Sequence, residues 1–341
     1  MRITALAGGI GGARFLAGLL RHLDTSGIDA EVTVIGNTAD DITLHGLRVC
    51  PDLDTVMYTL GGGINPGQGW GRDDEHFTVA EELAGYGAGQ SWFTLGDRDL
   101  ATHVVRTRLL GQGMTLSRAT ATLCERWRPG VELLPMSDDR IETHVVIDDP
   151  DAEDATGAPA DDTVPTRAVH FQEWWVRLHA AVPARKILAV GIDQAKPAPG
   201  VLDAIREADV VLLPPSNPVV SIGMILSVPG VRDAIRGTRA PVVGVSPIIG
   251  GAPVRGMADA CLTAIGVETS AQAVAELYAD FLDGWLVADT DLADLADTAS
   301  PNAASRLVVR GRPLLMTDVD ASAAIAAAAL ELAAALRPAD A

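Results

Sequence analysis

The residues best equipped for chemistry lie in the N-terminal part of the chain. A glycine-rich run, Ala7-Gly8-Gly9-Ile10-Gly11-Gly12, precedes two acidic segments, Asn37-Thr38-Ala39-Asp40-Asp41 and Pro51-Asp52-Leu53-Asp54-Thr55. Glycines between a strand and a helix let backbone N–H groups come close to an anion, typically a phosphate. Carboxylates beside such a loop repel phosphate unless a divalent cation stands between them. The pattern points to a nucleotide-diphosphate site with a metal drawn from Asp40, Asp41, Asp52 and Asp54. Taken singly, each of these aspartates is also explained as a helix cap or a solvated loop charge, and the glycine run as a tight strand–helix connection.

The elements that must position them are readable by period. Arg2 to Leu6 reads as a strand, Ala13 to Leu23 as an amphipathic helix and Glu31 to Ile35 as a second strand. Ligands of open α/β sheets collect at the carboxyl ends of strands, so the glycine run and the acidic loops would face one crevice. Asp54 to Leu60 reads as a helix entered through the second acidic loop. Glycines and Pro66 break the pattern over 61–71. Asp74 to Leu83, Arg98 to Leu110 and Leu116 to Trp127 then read as helices, with Asp97 and either Thr115 or Ser117 as N-caps. Three helices in succession predict a small helical insertion over 61–130, within a core formed by 1–60 and 131–341.

Glu132 to Leu134, Thr143 to Ile147 and Ala168 to Phe171 follow as strands, and Gln172 to Ala181 as a helix. The acidic stretch 148–166 lacks periodicity and reads as a hairpin tip. Ile187 to Val190, Val210 to Leu213 and Val242 to Val245 are short apolar runs suited to a parallel sheet covered on both faces. Trp285 to Ala288 and Pro313 to Met316 are two further candidate strands, and Asp320 to Leu336 is an alanine-rich closing helix. The expected fold class is α/β: a Rossmann-like, mostly parallel sheet flanked by helices, with a small helical insertion.

Composition removes several functions. The 341 residues carry a formal net charge of −19, against a general nucleic-acid binder, which needs a basic face. Three widely separated cysteines suit neither a disulfide framework nor a zinc cluster. No apolar run suggests a membrane span, and the N-terminus enters a strand directly. A cytoplasmic protein binding neither nucleic acid nor membrane is the expectation.

Other strand ends carry polar loops, Pro215-Ser216-Asn217-Pro218 and Ser246-Pro247-Ile248-Ile249-Gly250-Gly251. Ser216, Asn217 and Ser246 there suit base or ribose recognition, or simply turn formation. Arg98 is a cation at a helix N-terminus, an unfavourable place unless it meets a phosphate or the acidic loops. The glycine run matches neither the dinucleotide fingerprint nor a Walker loop, and no acid ends the second strand, which disfavours a dinucleotide oxidoreductase. The histidines lack metal spacing and read as structural.

These motifs in order resemble the CofD-like family, most closely its 2-phospho-L-lactate transferase branch. The resemblance runs nearly the full length. It rests on the glycine run, Asn37 to Asp41, Cys50 to Val56, Leu95-Gly96-Asp97-Arg98-Asp99 with Ala101-Thr102-His103, Leu134 to Asp139, His170-Phe171-Gln172, Pro215 to Pro218 and Val245 to Gly250. Cys50 stands where the family more often has Ser. The resemblance implies a step in coenzyme F-420 biosynthesis. A guanosine-diphosphate-activated donor would give its phospho-enolpyruvyl or 2-phospho-L-lactyl group to the ribityl terminal hydroxyl of the deazaflavin Fo, releasing GMP, with Mg²⁺ required.

It implies that Gly8, Gly9, Gly11, Gly12, Asn37, Thr38, Ser216, Asn217 and Ser246 bind the nucleotide donor. Asp40, Asp41, Asp52 and Asp54 would supply the metal ligands. Asp54, Asp52 and Arg98 would be catalytic, Asp54 contacting the Fo hydroxyl and Arg98 the donor or the chromophore. Trp70 and Trp92 would wall the flat ring, or pack in the core. A homodimer is implied as well. The alternative within the same family is a nucleotide-sugar-binding regulatory protein without transferase activity, which need not bind Fo.

Overall fold

The computed structural model describes residues 1–88, 92–149, 165–293 and 307–337. Its centre is a seven-stranded sheet. The strands are β1 (Arg2–Ala7), β2 (Glu31–Gly36), β5 (Glu132–Pro135), β9 (Val210–Leu213), β10 (Val242–Val245), β13 (Gly284–Val287) and β14 (Val308–Gly311), while β11 (Ile248–Ile249) and β12 (Ala252–Pro253) pair with each other outside it. The spatial order is β14-β13-β10-β9-β1-β2-β5, and every pairing is parallel. Winding runs from β1 to β2 and β5 on one side and from β9 to β14 on the other. It therefore reverses between β1 and β9, and the loops leaving these two strands face each other across a crevice.

The central strands are apolar and wholly buried, as a sheet covered on both faces requires. Helix α1 (Gly9–Ser26) and the C-terminal helix Val319–Leu336 cover one face, with Phe15, Leu19, Ile325 and Leu332 in the layer between. Trp174, Ile205, Ile225 and Trp285 belong to the opposite layer. The C-terminal helix has the length and apolar character to cross a bilayer, but its Ile325, Ala329 and Leu332 are packed into this core.

The connection from β2 to β5 carries a hairpin and four helices: β3 (Ile42–Leu44), β4 (Leu47–Val49), α2 (Pro51–Leu60), α3 (Thr78–Gly85), α4 (Asp97–Gly111) and α5 (Leu116–Trp127). The hairpin turns on His45 and Gly46, both at positive φ, the geometry of a two-residue type I′ turn. No alternation announces so short a pair. Helix α3 begins later than the expected Asp74, and α2 earlier than Asp54, with Pro51 in the first turn, where its missing N–H costs nothing.

Two helix ends are capped across the chain. The Asp97 carboxylate accepts from the N–H groups of Thr78 and Val79 at the start of α3, at 3.2 and 3.0 Å. The Glu75 carboxylate accepts from Arg98 and Asp99 at the start of α4, at 2.8 and 2.7 Å. Asp97, expected to cap its own helix, thus caps the preceding one.

Three expected elements differ. Ile187 to Val190 is not in the parallel sheet. It belongs to β8 (Ala184–Val190), which pairs antiparallel with β6 (Glu142–Asp148), itself paired with β7 (Thr166–His170). Arg185, Lys186 and Val190 are exposed and no residue of that strand is fully buried, which a doubly covered position does not allow. Pro313 to Met316 is not a strand. The edge strand ends at Gly311, before a proline that has no N–H to pair. Gln172 to Ala181 holds only a short π-helical turn, Glu173–Arg177. Asp148 faces Thr166 across the β6–β7 ladder, and positions 150–164 of the expected hairpin tip lie outside the described residues.

Gly11 sits where α1 passes the loop after β9. A Cβ there would lie 2.3 Å from the Pro215 carbonyl oxygen, a backbone atom that cannot swing away. Gly11→Ala is expected to destabilise the protein by roughly 1–3 kcal/mol, read as a lower midpoint in urea.

Candidate active site

The floor of the crevice is sealed. The Ser216 hydroxyl accepts from the Gly8 N–H at 3.2 Å and donates to the Gly8 carbonyl at 2.8 Å, joining the loops after β9 and β1. Gly12 approaches the same hydroxyl so closely that a Cβ would lie 2.6 Å from it. The glycine run therefore begins α1 rather than forming a separate loop, and Gly9 has φ +63°.

Asn37 ties this floor to the acidic segments. Its amide donates to Asp52 Oδ2 at 2.8 Å and to the Val220 carbonyl at 3.2 Å, and its Oδ1 accepts from the Ala39 N–H. The loop carrying Asp40 and Asp41 is held from behind. Thr143 N–H donates to the Ala39 carbonyl, and Gln172 Nε2 to that of Asp40. His170 Nδ1 accepts from the Gln172 N–H, which leaves Nε2 to donate to the Asp41 carbonyl at 3.2 Å. That ring is thereby fixed as the neutral Nε2–H tautomer. Burial pushes its pKa down, in the same direction.

The four aspartates divide by partner. Asp41 receives Arg48 through Nη2 at 2.7 Å and Nε at 3.1 Å. Asp54 receives both terminal nitrogens of Arg106 in a buried bidentate pair. Arg106 is only 1% exposed. Burial works to lower its pKa, and the Asp54 charge beside it more than reverses this. Its Nη1 also lies 3.2 Å from His103 Nδ1, and His103 Nε2 is 3.3 Å from Asp99, which accepts from the Tyr58 hydroxyl at 2.7 Å.

Asp40 and Asp52 have no cation among the described residues. Burial first, and Asp52 second, drive the Asp40 carboxyl well above its ordinary range. Burial lifts Asp52 to about 6 against the relief given by Asn37, and the Asp41 charge adds to it. Asp40 Oδ1 and the Thr38 and Thr143 hydroxyls are buried without a hydrogen-bond partner.

The other expected site residues face elsewhere. Arg98 is at the surface, 2.6 Å from Asp74. Asn217 Oδ1 accepts from the Val219 and Val220 N–H groups, and the Ser246 hydroxyl closes its own turn with Ile248. Arg48 and Arg106 were not anticipated. The one signal for Arg106 is a helical stripe through Asp99, Thr102, His103, Arg106 and Leu109, which the fold turns inward. A cavity of about 270 Å³, lined by Thr43, Trp92, Arg140, Glu142 and His170, adjoins the Asp41 loop. Trp70, in contrast, is half exposed.

No cluster of three or more metal-ligating side chains occurs among the described residues. The unpaired Asp40–Asp52 couple nevertheless fits Mg²⁺. That ion commonly takes one or two carboxylates, with water and substrate phosphate filling the rest of its octahedron. Asp41 and Asp54 fit it less well, because arginines already neutralise them.

The raised carboxyls make the metal-free protein lose stability as pH rises from about 4, where Asp52 ionises in the unfolded chain, to about 6, where it ionises in the fold. Asp52→Asn is therefore expected to raise the metal-free melting temperature at pH 8 by a few degrees, from roughly 2–3 kcal/mol of relieved charge burial. Added Mg²⁺ should raise the wild-type melting temperature more at pH 8 than at pH 5, and that of the variant much less. Arg106→Met is expected to cost roughly 3–5 kcal/mol by leaving Asp54 buried and unpaired, and Arg106→Met with Asp54→Leu to recover most of it, both measured by urea denaturation.

Fold and site together define an α/β protein with an acidic pocket at the switch point of its sheet. Residues 3–310 match the family described as 2-phospho-L-lactate transferase CofD. The chain is 62% identical over 338 residues to the phosphoenolpyruvate transferase of Thermobifida fusca (strain YX), covering 98% of each. It is 52% identical over 344 residues to that of Mycolicibacterium smegmatis, covering 98% of this chain and 99% of the relative. In structure it resembles protein BH3568 of Bacillus halodurans, with a TM-score of 0.58 at 19% identity, covering 96% of this chain and 99% of that one. This last likeness concerns the fold alone. The chain belongs to the CofD family and is a transferase.

Proposed function

We propose that the protein acts in coenzyme F-420 biosynthesis and transfers a phospho-enolpyruvyl group from a guanosine-diphosphate-activated donor to the ribityl terminal hydroxyl of Fo. The observation that carries this reading is the 62% identity, across 98% of both chains, to a relative named phosphoenolpyruvate transferase. It also favours the enolpyruvyl donor over the 2-phospho-L-lactyl one.

In the reaction the Fo oxygen bonds to the phosphorus that bears enolpyruvate. The bond from that phosphorus to the bridging oxygen breaks, GMP leaves with that oxygen, and the hydroxyl proton passes to solvent. A Mg²⁺ ion held by Asp40 and Asp52 would neutralise charge on the phosphates and the leaving group. Asn37 fixes the direction of Asp52, and His170 and Gln172 fix the loop that carries Asp40.

Asp54 is held by Arg106, so it serves better to set the position of α2 than to accept a proton. Phosphoryl transfer gains most from positioning and charge and least from a strong base, so the arrangement suits the chemistry. Placing the flat ring of Fo against Trp92 is supported by the cavity beside the Asp41 loop.

Mass spectrometry of the product formed from Fo and each guanylylated donor, with Mg²⁺, tests the reading. The expected product is Fo joined through a phosphodiester to enolpyruvate, with one GMP released. Absence of any Fo adduct, together with binding of a UDP-sugar, would overturn it in favour of a regulatory nucleotide-sugar binder.

A further inference from the structure

We propose that Arg14 and Arg255, neither of them among the partners of the four aspartates, together clamp a phosphate-type anion above the second turn of α1. Arg14 lies one turn beyond Ile10 and on the same face of that helix. Across from this face runs the turn Gln68-Gly69. A Cβ on Gly69 would lie 3.1 Å from Ile10 Cγ2 and 3.6 Å from Arg255 Nη1. Arg255 Nη1 donates to the Gln68 carbonyl at 3.3 Å. The turn thus brings the second guanidinium onto the helix face that carries the first.

Two like charges so placed repel one another. Half-burial disfavours the Arg14 cation, and the Arg255 charge disfavours it further. Neither arginine forms an ion pair with a carboxylate among the described residues, although the chain holds 45 acidic residues against 26 Lys and Arg. The contrast lies within the same fold, where Arg48 and Arg106 have Asp41 and Asp54. Arg255 is exposed, so an anion between the two would relieve the partial burial of Arg14 and the repulsion between the pair.

Placement and chemistry select the anion. Arg14 follows β1 and Arg255 follows β10, so both stand at the carboxyl end of the sheet, beside the crevice. Guanidinium forks match carboxylate and phosphate oxygens alike, but two cationic forks facing one group suit the multiple charge of a phosphate better than the single charge of a carboxylate. The ligand is therefore a phosphate or diphosphate group. Its identification as the donor's diphosphate rests on the transferase reading above, whereas the clamp itself does not.

Calorimetric titration of the full-length protein at low salt, with inorganic pyrophosphate and separately with GDP and UDP, tests the clamp. The wild type is expected to bind pyrophosphate. Arg14→Gln and Arg255→Gln should each weaken it about tenfold or more, with melting temperature and Fo titration unchanged. Arg14→Lys and Arg255→Lys should restore part of the affinity, which a merely structural role would not predict. Wild-type pyrophosphate affinity in both Gln variants, or no pyrophosphate binding by the wild type, would overturn the clamp. Pyrophosphate binding that depends on both arginines, with no preference for GDP over UDP, would instead retain the clamp and overturn its assignment to a guanosine donor.

Discussion

Two carboxylates buried side by side without a counter-cation repel each other, and the N-terminal half of the fold is arranged to hold them there. Asp40 sits on a loop fastened by Thr143, His170 and Gln172, and Asp52 is braced by the Asn37 amide. Release of any of these contacts would let the pair separate toward solvent. Asp41 and Asp54 stand next to them with arginines attached, so the negative charge left uncompensated is confined to one couple. Four unpaired aspartates in so small a volume would raise the burial penalty steeply, because each added charge repels all the others. The two arginines make the couple tolerable while leaving it open to a divalent ion.

Much of this was legible in the sequence, and what was not has a physical reason. β9, β10 and β13 are continuous apolar runs because both of their faces are covered, and such runs are visible without a structure. β8 has a similar run that is nowhere fully buried, which a short window does not reveal. The acidic segments were legible as a site because glycine, asparagine and aspartate cluster at strand ends. Which aspartates stay unpaired was not. Arg106 is 52 positions from Asp54, and in a helix of mixed polarity it resembles a solvated residue. Only tertiary packing decides that it is buried.

The polar loops carry a related lesson. Ser216, Asn217 and Ser246 were legible as polar groups at the carboxyl ends of strands. In the fold their side chains hydrogen-bond inward, to Gly8, to Val219 and Val220 and to Ile248. Their polarity sets the shape of the loops around the crevice. Ser216 in particular both donates to and accepts from one residue of the opposite loop, so the two sides of the switch point hold a fixed separation.

The exchange of caps between α3 and α4 gives this region a mechanical property of its own. Asp97 belongs to α4 but satisfies donors of α3, and Glu75, just before α3, satisfies donors of α4. Fraying either helix from its N-terminus removes a cap from the other and strands amide groups that no longer have an acceptor. The two helices therefore share one opening equilibrium, and their first-turn amides should exchange with solvent hydrogen at a common rate. A helix pair built this way yields as a unit or not at all.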